Sequence, residues 1–183
     1  ANLLKEGSSG IIAEFKQKSP SKGEINFKVK VEEVTKSYVE AGAVCLSVLT
    51  DYEYFGGTMA NLVKARETNP DTPILRKDFM IDSYQIVEAK AYGADVILLI
   101  AACLEKEQAE VLAKKAKELG ADAVLLVSPF YNKPTQRGMI AHFSAIADAC
   151  DIPQILYNVP GRTASNMHAE TQLALAESHD HII

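Results

Sequence analysis

Six short apolar runs recur along this chain at a nearly even spacing, and that spacing restricts the folds open to it. They occupy residues 10–16, 43–49, 73–77, 95–100, 122–127 and 154–157, and a seventh begins at His181-Ile182-Ile183. Each is rich in Val, Ile and Leu with little polar alternation, which is how strands covered on both faces of a parallel sheet read. Between them lie helical patterns. Residues 31–41 place Val31, Val34, Tyr38 and Val39 on one face, and residues 105–119 do the same with Ala109, Leu112, Ala113, Ala116 and Leu119. Asp82 and Gln85 have the spacing of a capping box before Ile86. Gly42, Gly93 and Gly120 each sit just before an apolar run, where a helix ends in the left-handed conformation. The mean step between strand starts is about 28 residues. An eight-fold barrel needs roughly 250 residues, about 31 per unit. The expectation is an α/β chain of the (β/α)-barrel type, with parallel strands and outer helices. It would hold about six units and the start of a seventh in one domain over residues 1–183, as an incomplete or rearranged barrel. An open doubly wound sheet is the alternative, weakened because no Gly-rich dinucleotide loop follows any run.

Composition narrows the class further. The 183 residues carry 19 basic and 24 acidic side chains, a net charge of −5, which argues against nucleic acid as a partner. No apolar run is long enough to span a bilayer, and the first six residues have no signal-peptide core. Cys45, Cys103 and Cys150 are odd in number and lie in apolar segments, so they read as reduced, buried thiols of a cytoplasmic protein. Neither a metal nor a cofactor is expected. His179 and His181 are read as surface histidines.

In parallel α/β folds chemistry gathers where strands end. The first run ends with Glu14 and Lys16, two residues apart and so on one side of the strand, followed by Lys18-Ser19-Pro20-Ser21-Lys22-Gly23. A carboxylate and an ammonium facing one way on a buried strand are costly unless paired or used. A structural ion pair and a catalytic pair both fit, and the basic loop can hold phosphate or be plain solvated loop. The third run ends Arg76-Lys77-Asp78-Phe79, with Arg76 and Lys77 on opposite sides. A lysine in a low-dielectric interior becomes a usable acid or nucleophile; alternatively Lys77 simply pairs with Asp78 or Glu14. The sixth run leads from Tyr157 to Arg162, which can relay a proton and bind a carboxylate, or can be a packed tyrosine above a Pro-Gly turn.

These residues carry two family resemblances. Residues 10 to about 105 resemble indole-3-glycerol phosphate synthase. The matching motifs are Ile12-Ala13-Glu14-Phe15-Lys16, Lys18-Ser19-Pro20-Ser21-Lys22-Gly23, Ser47-Val48-Leu49-Thr50-Asp51, Phe55-Gly56-Gly57 and Leu75-Arg76-Lys77-Asp78-Phe79, with Tyr84-Gln85 before Glu88-Ala89. Residues from about 110 to 183 are similar to the dihydrodipicolinate synthase and N-acetylneuraminate lyase family. There the match is Ser128-Pro129-Phe130-Tyr131-Asn132-Lys133-Pro134, His142-Phe143, and Pro153-Gln154-Ile155-Leu156-Tyr157-Asn158-Val159-Pro160-Gly161-Arg162-Thr163. The two parts divide as 1–108 and 109–183, with the seam in the helix over 105–120.

Both families are eight-stranded (β/α) barrels, so the resemblances imply a recombined, engineered barrel hybrid with little or no catalysis. The first family removes CO2 and water from a carboxyphenylamino-deoxyribulose phosphate. It implies Lys77 as general acid, Glu14 as a second catalytic residue, Lys16 near the phosphate, Ser19 supporting the loop and Phe79 on the substrate. Its general-base glutamate on the fifth strand is replaced here by Leu125-Leu126-Val127. The second family implies Tyr157 as a catalytic residue and Tyr131 and Arg162 as substrate ligands, but its Schiff-base lysine is absent from the chain. The expected ligand is a small phosphorylated or carboxylate molecule. A residual decarboxylating lyase centred on Lys77 and a pyruvate-dependent lyase are the alternatives. A homodimer or larger homo-oligomer is expected, because an incomplete barrel leaves strand edges unpaired.

Overall fold

A computed structural model describes residues 9–100, 104, 106–121, 123–129 and 133–182. Tyr131, Cys103 and Ile183, named above, lie outside the described residues. The elements run in the order β1 (Ile12–Phe15), β2 (Lys18–Ser19), β3 (Gly23–Glu24), α1 (Val31–Glu40), β4 (Cys45–Leu49), α2 (Met59–Thr68), β5 (Ile74–Lys77) and α3 (Ser83–Ala91). There follow β6 (Val96–Leu99), α4 (Lys106–Glu118), β7 (Ala123–Val127), α5 (Gln136–Ala149), β8 (Gln154–Tyr157), α6 (Pro160–Thr163) and α7 (Ala169–Ser178). The six apolar runs are the six parallel strands, and helices alternate with them, as in a (β/α) barrel. The chain divides into two compact units, one of Ala1–Asp78 with Val87–Ile97, the other of Phe79–Ile86 with Leu98–Ile183.

In the first unit β1, β4, β5 and the start of β6 lie side by side in that order, all parallel. All five residues of β4 are buried, as a central strand covered on both faces requires. Thr58 caps α2 by accepting from the Asn61 amide at 3.2 Å. Asp95, just before β6, accepts the Ile74 amide at 2.9 Å and pairs with Arg66, tying the start of β5 to α2. Asn69 donates to the Thr35 hydroxyl at 3.0 Å and so joins α1 to the end of α2.

In the second unit β7 pairs in parallel with β8, and Ile182 bridges Gln154 in parallel where the seventh run was expected. Met139, Phe143 and Ala147 on α5 are buried, α5 packs on α7, and Leu175 of α7 is buried.

Gly42, Gly93 and Gly120 adopt φ of +96°, +88° and +80°, the left-handed helix stops their positions implied. The capping box at α3 forms by half. Gln85 Oε1 accepts the Asp82 amide at 3.0 Å, but Asp82 Oδ1 takes the Tyr84 amide at 2.7 Å instead of that of Gln85. The segment after β1, read as a loop, contains a two-residue antiparallel hairpin, β2 with β3. His179 is not a plain surface residue. Its side chain is only 13% exposed and its Nε2 lies 2.9 Å from the Ser144 hydroxyl. Among the described residues no helix is long and apolar enough to cross a membrane, and no three His, Cys, Asp or Glu side chains are grouped to hold a metal.

Candidate active site

The strongest cluster of chemistry lies in the first unit, at the C-terminal ends of β1 and β5. Glu14 sits on β1 and Lys77 ends β5. The two strands flank β4 on opposite sides, yet the side chains meet, Lys77 Nζ donating to Glu14 Oε2. Lys16 Nζ donates to the other carboxylate oxygen, Oε1, at 2.7 Å. The carboxylate is therefore held between two ammonium groups, which leaves an excess of one positive charge. The Glu14 and Lys77 side chains are 24% and 23% exposed. Burial alone would push the Glu14 carboxyl upward. The hydrogen bonds and charges of Lys16 and Lys77 outweigh it and hold the group below its ordinary value. Of the readings open for Lys77, the pairing with Glu14 is the one the structure displays.

Asp78 is taken by other partners. Its Oδ2 accepts from the Thr50 hydroxyl at 2.6 Å and from Arg76 Nη2 at 3.0 Å. Arg76 Nη1 reaches Glu88 of α3 at 2.9 Å, and its Nε donates to the Thr50 hydroxyl at 3.1 Å. The Thr50 amide also donates to the Lys77 carbonyl at 3.1 Å. Both neighbours of Lys77, and its own carbonyl, are thus fixed to Thr50. Alternation along β5 sends Arg76 to the helix side and Lys77 to the face of Glu14.

Ser19 lies in β2 and is buried, its hydroxyl accepting the Lys22 amide at 3.2 Å and thereby closing the turn of the basic hairpin. Lys18 Nζ donates to the Glu53 carbonyl at 2.7 Å, pinning the hairpin to the segment after β4. The aromatic ring of Phe27 presses on Gly56 from the same region.

The other sequence-predicted residues belong to the second unit. The Phe79 carbonyl accepts from Gln85 Nε2 at 2.9 Å. Tyr157 closes β8, its carbonyl accepting the Ser128 amide at 3.2 Å. Arg162 lies exposed on the single turn α6, where its amide is bonded to the Val159 carbonyl at 2.8 Å. Tyr131 is outside the described residues. Two residues of the first-unit cluster escaped the reading of the sequence. Thr50 and Ser47 both stand in the quoted motif after residue 46, but Thr50 meets Asp78, 28 residues away, and Ser47 lies opposite Glu14, 33 residues earlier, only through the strand register.

A profile of the indole-3-glycerol phosphate synthase family matches residues 2–153. An indole-3-glycerol phosphate synthase from Bacteroides thetaiotaomicron is 51% identical over 122 residues, which is 67% of this chain and 46% of that protein. One from Neisseria meningitidis is 51% identical over 115 residues, 63% of this chain and 44% of the other. The chain thus spans about half the length of the relatives it matches. Among solved structures, it is similar to a dihydrodipicolinate synthase from Acinetobacter baumannii complexed with pyruvate. That likeness has 28% identity and a TM-score of 0.53, and covers 94% of this chain and 52% of the other. A dihydrodipicolinate synthase from Aquifex aeolicus, at 24% identity and a TM-score of 0.51 over the same shares, shows the common fold alone. Both resemblances read from the motifs are therefore recovered, and the fold is that of a partial (β/α) barrel, not an open doubly wound sheet.

Proposed function

Because the chain belongs to the indole-3-glycerol phosphate synthase family, we propose that it is a hybrid (β/α)-barrel scaffold that keeps the Lys77 side of a synthase-type site. It binds a small phosphorylated or carboxylate anion there and catalyses ring closure at trace level at most. The observation that carries this reading is the trio of Lys16, Glu14 and Lys77 on one face of the sheet. Two ammonium groups with one carboxylate between them are suited to an anion, and an ammonium already hydrogen-bonded can deliver a proton to a departing oxygen.

On β7 the opposing half of the reaction has no matching group. A decarboxylating ring closure also needs a proton acceptor, and β7, where the family resemblance places it, consists of Ala123, Val124, Leu125, Leu126 and Val127. A positioned base contributes about 10²–10⁴-fold, so its loss leaves little turnover. The motifs around Ser128-Pro129 and Pro153–Arg162 support a recombined, engineered origin with a dihydrodipicolinate synthase-like second part. The free, buried Cys45 and Cys150 support a reducing, cytoplasmic setting.

The test is turnover of the carboxyphenylamino-deoxyribulose phosphate, followed by fluorescence of the indole product. The expected rate is zero or a trace that Lys77→Ala removes and Tyr157→Phe leaves unchanged. A rate near the ordinary enzyme range, about 1–10³ per second, would overturn the scaffold reading.

A further inference from the structure

Ser47 stands beneath the Glu14–Lys77 bridge with no partner of its own. It lies on β4, is 4% exposed, and its Oγ has no hydrogen-bond partner among the described residues. The register of the ladder fixes its surroundings. Ser47 is opposite Glu14 on one side and Leu75 on the other, while Leu49, two residues on, is opposite Lys77. Opposed residues in a ladder share a face, and so do residues two apart. A bridge between β1 and β5 must therefore cross β4 on the face that carries Ser47 and Leu49.

An unpaired buried hydroxyl is costly. Its use becomes clear when an anion enters. A phosphate or carboxylate that draws Lys77 onto itself takes one of the two ammonium groups from Glu14. A half-buried carboxylate that loses such a donor tends to take up a proton. Other hydroxyls nearby are engaged, Tyr38 with the Glu14 carbonyl at 3.5 Å and Thr50 with Asp78 at 2.6 Å. The charged groups facing the Glu14 carboxylate are Lys16 and Lys77, while Arg76 is committed to Asp78 and Glu88. Ser47 is one inter-strand spacing away, about 4.8 Å between backbones.

We infer that Ser47 is a positioning residue that acts through Glu14: its hydroxyl donates to the carboxylate when Lys77 turns to an anionic ligand, and so keeps Glu14 charged and in place. The exchange with a ligand rests on the site reading above, whereas the Ser47–Glu14 hydrogen bond does not, and the experiment separates the two. Lys77→Met imitates the departure of the ammonium group. In the full chain, the Glu14 carboxyl is titrated by carbon-13 NMR in Lys77→Met, in Lys77→Met with Ser47→Ala, and in Lys77→Met with Ser47→Thr. The expected result is roughly tenfold higher proton affinity of Glu14 when Ser47→Ala is added, one unit of pKa, with the threonine variant restoring the Lys77→Met value. Ser47→Ala in the otherwise native chain should not lower the melting temperature, since it removes an unpaired hydroxyl. Identical Glu14 titrations with and without the Ser47 hydroxyl would overturn the inference. If Lys77→Met with Ser47→Ala fails to fold, inorganic phosphate binding by the single Ser47→Ala variant decides. Weaker binding than the native chain supports the inference and equal binding overturns it. If the titrations differ as expected but phosphate does not bind the native chain, the hydrogen bond stands and the anion-site reading is the one that falls.

Discussion

Glu14 is pulled in two directions, and the balance has a measurable consequence. Burial favours its protonated form, but the donors Lys16 and Lys77 win and hold the carboxyl below its usual value. A group whose folded value is depressed contributes stability above its unfolded value, about 4.3, and that contribution is lost as pH falls through the folded value. The resistance of the native chain to urea should therefore fall as pH drops below about 4.5, and Glu14→Gln should flatten that part of the profile. Equal slopes for the two proteins would mean that the pairing contributes nothing. Cys45 illustrates burial without compensation, its thiol being pushed up to about 11. It should resist iodoacetamide at pH 8 in the folded protein and react once urea unfolds the chain. Labelling at the same rate in both states would contradict its burial. Part of this was legible in the sequence. Glu14 and Lys16 alternate by two, and so share a face whatever else happens. Which of Asp78 and Glu14 would meet Lys77 was not legible, because Asp78 is claimed by Arg76 and by Thr50, which is 28 residues away from it.

At the scale of elements, the ends of β4 and β5 are fastened to α3 through one guanidinium. The Arg76 side chain is 4% exposed and bonds Thr50, Asp78 and Glu88 together. Arg76→Met keeps the length but strands two carboxylates, and should cost about 3 kcal/mol in chemical denaturation. A loss below about 0.5 kcal/mol would show that water takes over these bonds. Gly57 marks a second constraint. A Cβ there would lie 2.2 Å from the Leu49 carbonyl oxygen, so Gly57→Ala must displace the end of β4 or its own loop. The strand starts were readable because each strand is an unbroken apolar run, and the glycine stops because a left-handed helix end selects for glycine. The hairpin of Lys18–Ser19 with Gly23–Glu24 was not readable, since two-residue strands carry no periodicity. The partial burial of His179 was missed for a related reason: it depends on α5, whose Ser144 lies 35 residues earlier.

For the whole molecule, the same sequence matches one enzyme family by identity and another by structural likeness, each over about half of the relative's length. In the first unit β1 pairs with β4 and with no other strand among the described residues, and Ile11 and Ile12 beside that edge are exposed. An open ladder with apolar side chains is a template for another chain. Light scattering at micromolar concentration should report a dimer or larger species, and a stable monomer would show that the edge is covered within the chain. The proposed anion site beside Lys77 is open to direct test. The most direct measurement is calorimetric titration of the carboxyphenylamino-deoxyribulose phosphate into the native chain and into Lys77→Ala. Saturable binding that Lys77→Ala weakens by about tenfold or more, the loss of one charge-assisted contact, is the predicted result. Absence of binding to the native chain, or binding that the substitution leaves unchanged, would contradict the account.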